Sequence, residues 1–445
     1  MMSAIRFNDA LRLAAEAVQD DTLPNAWTVR LVRDVYGRLR FAVDCDSSDY
    51  PLDARQRLEA AQQELGRYAT GGRVLFRDDF SNPDEVFGGS DWHLARIAAP
   101  TDEAPDRHIE VRVLDRQIIG QDWLRTELAA EPGHPPRIVF YGLKGGVGRS
   151  TALAMLAYRL ARDGKRVLLI DFDLESPGLS GLLLPPERVA ACGLVDWFVE
   201  DAVGQGDLVL GDLLSESPLA DNTSGSIRVA AAMGSGERAY MSKLARVYAD
   251  VPSPDGPQRF AQRMGLIVQV LEARERPDVV LIDSRAGLLD VAAVAISRLS
   301  TVALLFATDS EQSWQGYGQL FKHWNQHPQV LRAVRERLAI VQALFPESDQ
   351  VERAKRFLER SYELFSDHLY DDIEPGDDAQ LEAFSFQPDA EDAPHFPLRV
   401  RWNARFQEFN PLLGRADGGV DDKDIELAFG PFFEKIIELI EVSRT

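Results

Sequence analysis

Residues 138–151 read Ile-Val-Phe-Tyr-Gly-Leu-Lys-Gly-Gly-Val-Gly-Arg-Ser-Thr: an apolar strand, a glycine-rich turn carrying two cations, and the opening of a helix. A strand that delivers such a turn into a helix is phosphate-binding architecture. Gly145, Gly146 and Gly148 lack a Cβ, so the backbone can take left-handed angles and aim several amide hydrogens at one point. That concave seat suits a polyphosphate. The stretch 150–162 is predicted to be a helix whose N-terminus adds its dipole and free amides to the same anion.

The plain phosphate loop runs Gly, four residues, then Gly-Lys followed by Ser or Thr. Here Leu143 stands where the first glycine is expected, Arg149 stands where the lysine is expected, and an extra Lys144 precedes the Gly-Gly pair. Lysine directly before Gly-Gly-Val-Gly is the mark of the deviant Walker ATPases. The segment therefore resembles the ParA/MinD family of ATP-dependent dimerising switches, of the SIMIBI class, in a Lys-Gly-Gly-Val-Gly-Arg variant.

Two further segments resemble that family at the right spacing. Residues 165–180, Lys-Arg-Val-Leu-Leu-Ile-Asp-Phe-Asp-Leu-Glu-Ser-Pro-Gly-Leu-Ser, form a buried strand ending in two carboxylates. The resemblance implies that Asp173 positions the attacking water and that Asp171 sits by the magnesium and the phosphate loop. Leu174-Glu175 departs from the Pro-Gln with which the ParA branch usually continues. Residues 277–288, Pro-Asp-Val-Val-Leu-Ile-Asp-Ser-Arg-Ala-Gly-Leu, close an apolar run on Asp283 and resemble the Walker B strand, whose carboxylate holds a magnesium-bound water. Each piece alone has a plain structural reading, since glycine turns after strands and aspartates ending parallel strands are common. Three of them in order, at the carboxyl ends of predicted parallel strands, mark where open α/β sheets place their ligands.

The mechanism that the resemblance implies is ATP binding and slow hydrolysis coupled to dimerisation. Backbone amides of Gly145, Gly146, Val147, Gly148, Arg149, Ser150 and Thr151 cradle the phosphates, and Ser150, Asp171 and Asp283 surround Mg2+. Lys144 reaches across a two-fold interface to the partner subunit's nucleotide. Three alternatives stand beside this one: a nucleotide-binding scaffold without turnover, a bacterial tyrosine kinase-like ATPase, and a DNA partition ATPase. The kinase-like ATPases usually carry a tyrosine-rich tail, whereas the last tyrosine here is Tyr370. The Lys-Gly-Gly-Val-Gly-Arg branch often resembles a component of bacterial multi-gene signalling or conflict systems.

Composition narrows the partners. With 445 residues, 45% hydrophobic and 27% charged, the chain can bury a large core in two or three domains. Cys45 and Cys192 are its only cysteines, too few for a disulfide framework, and they read as small core residues in a reducing cytoplasm. The sequence lacks an uncharged apolar run of membrane-spanning length and a basic-then-apolar start, so secretion and membrane insertion are not expected. Acids outnumber bases 71 to 49, a net charge of −22, which argues against holding nonspecific DNA through a basic face. At 431–442, Phe432, Phe433, Ile436, Ile437 and Ile440 fall on a helical period, but Glu434, Glu438 and Glu441 accompany a single Lys435. That helix is expected to pack on the ATPase core, because an anionic lipid surface repels it.

The chain divides near residue 130 into a small α+β domain (1–130), a linker (131–136) and an α/β domain with a doubly wound, mostly parallel sheet (137–445). In the first, a helix is expected over 7–18, a hairpin with strands 27–32 and 38–43 about a turn at Asp34-Val35-Tyr36-Gly37, a helix over 53–68, and strands over 92–97 and 108–114. This domain is assigned the binding of an unidentified protein partner. In Glu131-Pro-Gly-His-Pro-Pro136, prolines and glycine forbid a continuing helix. Further strands are expected at 227–232, 301–307 and 337–344. Residues 371–394 hold nine acids and three prolines and read as a solvated loop. His323 and His327 can share one helical face without a third ligand in view, and Asp309, Glu311 and Trp314 read either as a loop and helix beside the nucleotide or as a helix cap.

Overall fold

The computed structural model describes residues 5–19, 28–101, 104–126, 133–236, 239–253, 256–372, 383–407, 410–413 and 420–442. Two compact units result: Met1–Arg125 with Lys322–Ala333, and Thr126–Phe321 with Val334–Thr445.

In the first unit, α1 (Phe7–Val18), β1 (Val29–Arg33), β2 (Leu39–Val43), α2 (Leu52–Glu64), α3 (Pro83–Gly88), β3 (Trp92–Ala98) and β4 (His108–Asp115) follow in order. The sheet runs β2-β1-β4-β3, with β1 antiparallel to β2 and parallel to β4. Strand β4 alternates buried and exposed residues, so one sheet face meets a core and the other meets water. Helix α1 buries Ala10, Ala14 and Ala15, whose small side chains let it lie close on that core beside Leu31, Phe41 and Val111. The hairpin turn is the expected one, with Gly37 at φ 82°. Trp27 and the linker residues 131 and 132 lie outside the described residues. The expected 53–68 helix stops at Glu64, because Gly66 takes φ 60° and a 3-10 turn, Gly66–Tyr68, follows.

The second unit contains β5 (Arg137–Gly142), α4 (Arg149–Arg162), β6 (Arg166–Asp171), α5 (Leu179–Leu183), α6 (Leu194–Asp201), α7 (Gly206–Val209), β7 (Leu214–Glu216), β8 (Ser226–Ala230), α8 (Tyr240–Val247), α9 (Phe260–Glu275), β9 (Val279–Asp283), α10 (Asp290–Val294), β10 (Val302–Ala307), α11 (Glu311–Asn325), α12 (Pro328–Val334), β11 (Leu338–Phe345), α13 (Gln350–His368), β12 (Leu398–Arg401) and α14 (Asp422–Val442). The last four residues of α11 and nearly all of α12 belong to the first unit by their packing. The sheet order is β12-β11-β10-β5-β9-β6-β8-β7, parallel throughout except for the β7 edge strand. All residues of β5, β9 and β10 are buried, as central strands covered by helices on both faces must be. This is the expected mostly parallel α/β sheet, preceded by an α+β part.

Helix α14 closes one face of that sheet: Phe432, Phe433, Ile436 and Ile440 share a core with Phe140, Leu153 and Leu304. No described helix is long and apolar enough to cross a membrane. In the expected loop 371–394, residues 387–389, Glu391 and Asp392 are exposed as expected, but its start is anchored. Asp371 accepts from both Arg335 terminal nitrogens at 2.5 and 2.8 Å and from the Phe384 amide at 2.8 Å, and Phe384 and Phe386 gather round Tyr370. The acid count hid those two aromatic anchors; residues 373–382 lie outside the described residues.

Candidate functional site

Parallel pairing brings the site together. Asp171, the last residue of β6, stands in register with Asp283, the last of β9, while Phe140 of β5 stands opposite Asp283 on its other side. Neighbouring strands lie about 4.8 Å apart, so two carboxylates and the phosphate turn must share one small volume. The loops are tied where they leave the sheet. Phe172 N donates to Asp283 O at 2.9 Å, Ser284 N to Phe140 O at 3.1 Å, and the buried Tyr141 hydroxyl to Gly287 O at 3.2 Å.

The turn itself is built as the glycines require. Gly146 and Gly148 take φ 75° and 78°, and Gly148 is the left-handed N-cap of α4. The first α-helical bond runs from Ala152 N to Gly148 O at 2.9 Å, which leaves the amides of Arg149, Ser150 and Thr151 upstream of the helical ladder and open to an anion. Leu143 is accommodated by α11, where Gly316 offers no side chain; a Cβ there would lie 2.6 Å from Leu143 Cδ1.

The predicted site residues meet as follows. Ser150 Oγ donates to Asp283 Oδ2 at 2.7 Å. Arg149 is 8% exposed and turns onto the acids, its Nε donating to Asp283 Oδ1 at 2.6 Å and a terminal nitrogen to Asp173 Oδ2 at 3.2 Å. Its other terminal nitrogen and Asp173 Oδ1 are buried without a hydrogen-bond partner. Asp171 is fully buried, accepting from Asp173 N at 3.1 Å and Leu179 N at 3.3 Å. Lys144 is half-buried and forms no ion pair among the described residues.

The electrostatics follow from this crowding. Burial pushes the Asp171 carboxyl well above its usual range, and the Asp283 charge adds to the rise. Burial likewise raises Asp173, although Arg149 opposes it. Burial also works against the Arg149 charge, but Asp283 and Asp173 outweigh it and hold the guanidinium above its ordinary value. The three carboxylates are therefore short of positive charge, with Arg149 bonded to two of them and Arg285 acting on Asp173 only at a distance. No three acids among the described residues are grouped to hold a metal by themselves, but the Ser150 hydroxyl with the Asp171 and Asp283 carboxylates is a donor set for a magnesium ion that keeps several waters, and the unpartnered guanidinium nitrogen is what a phosphate oxygen takes. The residues fit both groups.

Several participants escaped the sequence. Glu175 forms an ion pair with Arg285 and accepts from the Tyr248 hydroxyl, while Tyr240 donates to Leu174 O at 2.5 Å. The only signal was a charge complement: an acid two residues after Asp173 and a base two residues after Asp283. Ser310, rather than Asp309, caps α11, since its hydroxyl accepts from Ser313 N at 3.3 Å. Asp309 instead binds Arg356 at 2.7 Å and Trp314 Nε1 at 3.1 Å, and Glu311 binds Arg360 at 2.7 Å. In the first unit, the His323 and His327 rings lie 5.2 Å apart.

A family model described as the CobQ/CobB/MinD/ParA nucleotide binding domain matches residues 138–361, half of the chain. The chain is 29% identical over 183 residues to the antiactivator FleN of Pseudomonas aeruginosa, which is 40% of this chain and 53% of FleN. It is 50% identical over 52 residues to the chromosome-partitioning ATPase Soj of Thermus thermophilus, which is 12% of this chain and 21% of Soj. The chain thus matches about half, or less, of the length of these relatives. Among solved structures it is similar to an ATP complex of Cyanothece McdA, with 15% identity and a TM-score of 0.40 over 69% of this chain and 97% of that one.

Proposed function

The chain belongs to the CobQ/CobB/MinD/ParA nucleotide-binding family, and on that premise we propose that it is a cytoplasmic ATP- and magnesium-dependent dimerisation switch, slowly hydrolysing, that controls a protein partner. One observation carries the reading. Ser150, Arg149, Asp171, Asp173 and Asp283 converge at the mouth of the glycine turn, with Arg149 Nη1 and Asp173 Oδ1 buried and unpartnered. The amides of Gly145 to Thr151 would hold the phosphates, and Ser150, Asp171 and Asp283 would hold magnesium, which would supply countercharge to the phosphates. Asp173 orients the attacking water. Lys144, which forms no ion pair among the described residues, serves a facing subunit.

Arg149 gives a second reading its weight. A guanidinium that already grips Asp283 and Asp173 competes with metal for the same oxygens, which favours a scaffold that binds nucleotide without turning it over. The name antiactivator for FleN fits control of a partner protein. In both readings the first unit binds that partner, for the switch within a bacterial multi-gene signalling or conflict system, and the −22 charge disfavours DNA as the target.

Light scattering tests the switch. ATP with magnesium is expected to double the solution mass of the parent protein, and Lys144→Ala is expected to bind ATP and stay at the original mass. An unchanged parent mass would remove the sandwich. Phosphate release by the purified protein separates the ATPase from the scaffold.

A further inference from the structure

Glu175 and Arg285 have no part in the nucleotide-handling set, yet each lies two residues from a member of it. The Asp173 loop leaves β6 and must hold a carboxylate in place with little secondary structure of its own. Its internal bonds are few: Asp173 N to Asp171 Oδ1 at 3.1 Å and Ser176 N to Asp173 O at 3.2 Å. The remaining anchors come from outside the loop. Arg285, in the loop after β9, forms an ion pair with Glu175 Oε2. Tyr248, just past the end of α8, donates its hydroxyl to Glu175 Oε1, and Tyr240, at the start of α8, donates to Leu174 O at 2.5 Å. Burial and the neighbouring Glu175 anion push the Tyr248 hydroxyl up, so it stays a donor throughout the physiological range.

Stability alone is a poor account of this contact. The Glu175 and Arg285 side chains are 24% and 26% exposed, but the two paired atoms, Oε2 and Nη1, are buried and meet without a hydrogen bond of good geometry, so the desolvation of the pair offsets much of its attraction. Position is a better one. A catalytic carboxylate must be held to within about 0.5 Å, and a misplacement of about 1 Å costs up to about a hundredfold in rate. We propose that Glu175, clamped between Arg285 and Tyr248, is a positioning residue that fixes the Asp173 loop against the β9 loop and α8, and so sets the hydrolysis rate without contributing to ATP affinity. This rests on the ATPase reading above.

The experiment compares the parent with Glu175→Gln, Arg285→Gln, the double variant and the milder Tyr248→Phe, measuring kcat, KM for ATP, and hydrogen exchange of residues 173–176 in nucleotide-free protein. Each of the two charge variants should lose about tenfold in kcat with KM unchanged within about twofold, and the double variant should be no slower than the worse single one. Exchange of the loop amides should quicken in both and no further in the double. Tyr248→Phe, which removes one hydroxyl and no charge, should shift both readouts the same way by less. An active parent whose Glu175→Gln variant keeps its kcat and its exchange rates overturns the clamp alone, as do effects of the two charge variants that multiply. A parent that never turns over ATP overturns the ATPase reading and the rate role with it.

Discussion

In the first unit, Arg30 meets Asp44 at 2.5 Å, Arg33 meets Asp115 at 2.9 Å and Arg125 meets Asp91 at 3.1 Å, each guanidinium largely covered and each matched by an acid. At the mouth of the phosphate loop in the second unit, a single guanidinium faces Asp283 and Asp173 while Asp171 lies fully buried behind them. Burial pushes Asp115 up, but Arg33 outweighs it and holds the carboxyl below its usual range. Asp173 and Asp171 go the other way. A fold that pairs its buried charges in one unit and leaves them short of countercharge at one point of the other marks that point as the place where a ligand completes the structure.

The largest expected effect comes from removing the guanidinium bonded to those carboxylates. Arg149→Ala leaves Asp283 and Asp173 without the guanidinium bonded to them, beside the buried Asp171, which should cost about 3–5 kcal/mol in the nucleotide-free protein, and should weaken ATP binding by more than about a hundredfold. Magnesium alone should raise the melting temperature of this variant and leave the parent unchanged, because only the variant offers it the vacated carboxylates. Arg149→Lys keeps the charge and should hold ATP affinity within about tenfold, while preserving or raising turnover. Calorimetry with magnesium and with ATP checks both; an alanine variant that binds ATP like the parent would show that Arg149 is no phosphate ligand and would erase the contrast between the units.

A smaller effect is expected where the first unit keeps a buried group neutral. Burial, reinforced by His323 and His93, lowers His327 to about 3; Arg33 acts in the same direction and Asp115 in the opposite one. The folded-state value lies below the unfolded one of about 6.5, so the unfolded chain takes up the proton first as pH falls. Stability contributed by neutral His327 is complete above about pH 6.5 and should fall by about 1.4 kcal/mol per pH unit below it, toward pH 3. Urea unfolding at pH 7 and pH 5.5 measures this as the difference between the parent and His327→Gln. Equal slopes for the two proteins would mean that the histidine cluster is hydrated and that this unit is less settled than its ion pairs suggest.

The same contrast governs what the sequence made legible. That Asp171 and Asp283 stand side by side was readable because each ends an apolar strand, and parallel pairing then brings the strand ends together. The glycine turn was readable because its φ angles exclude most residues. What Arg149 does in the absence of nucleotide was not, since a cation in a phosphate loop points to phosphate and not to the acids behind it. Nor were Glu175 and Arg285, which are ordinary loop charges until the β6–β9 register places them together. The packing of Lys322–Ala333 with the first unit was out of reach too, because α11 reads as one continuous helix and nothing local marks where its partners change. Sheet edges were equally opaque: β7 has three residues and β12 four, too short for any periodicity to declare them.

The smallest effect concerns Leu143, the first departure from the plain phosphate loop. Gly316 lies inside α11, where replacing glycine with alanine ordinarily stabilises a helix by about 1 kcal/mol. Here the added methyl would sit 2.6 Å from Leu143 Cδ1. Overpacking of that kind costs about 1–3 kcal/mol, but the obstructing atom is the free end of a side chain, which puts the cost at the low end. The two terms nearly cancel, so Gly316→Ala should change unfolding free energy by less than about 1 kcal/mol. In a Leu143→Gly background, which restores the loop's first glycine, the clash is absent and the same substitution should stabilise by about 1 kcal/mol. The difference between the two backgrounds is the coupling energy of the pair. A Gly316→Ala effect that is the same in both would mean that α11 does not compensate for Leu143, and that this loop tolerates the leucine without help.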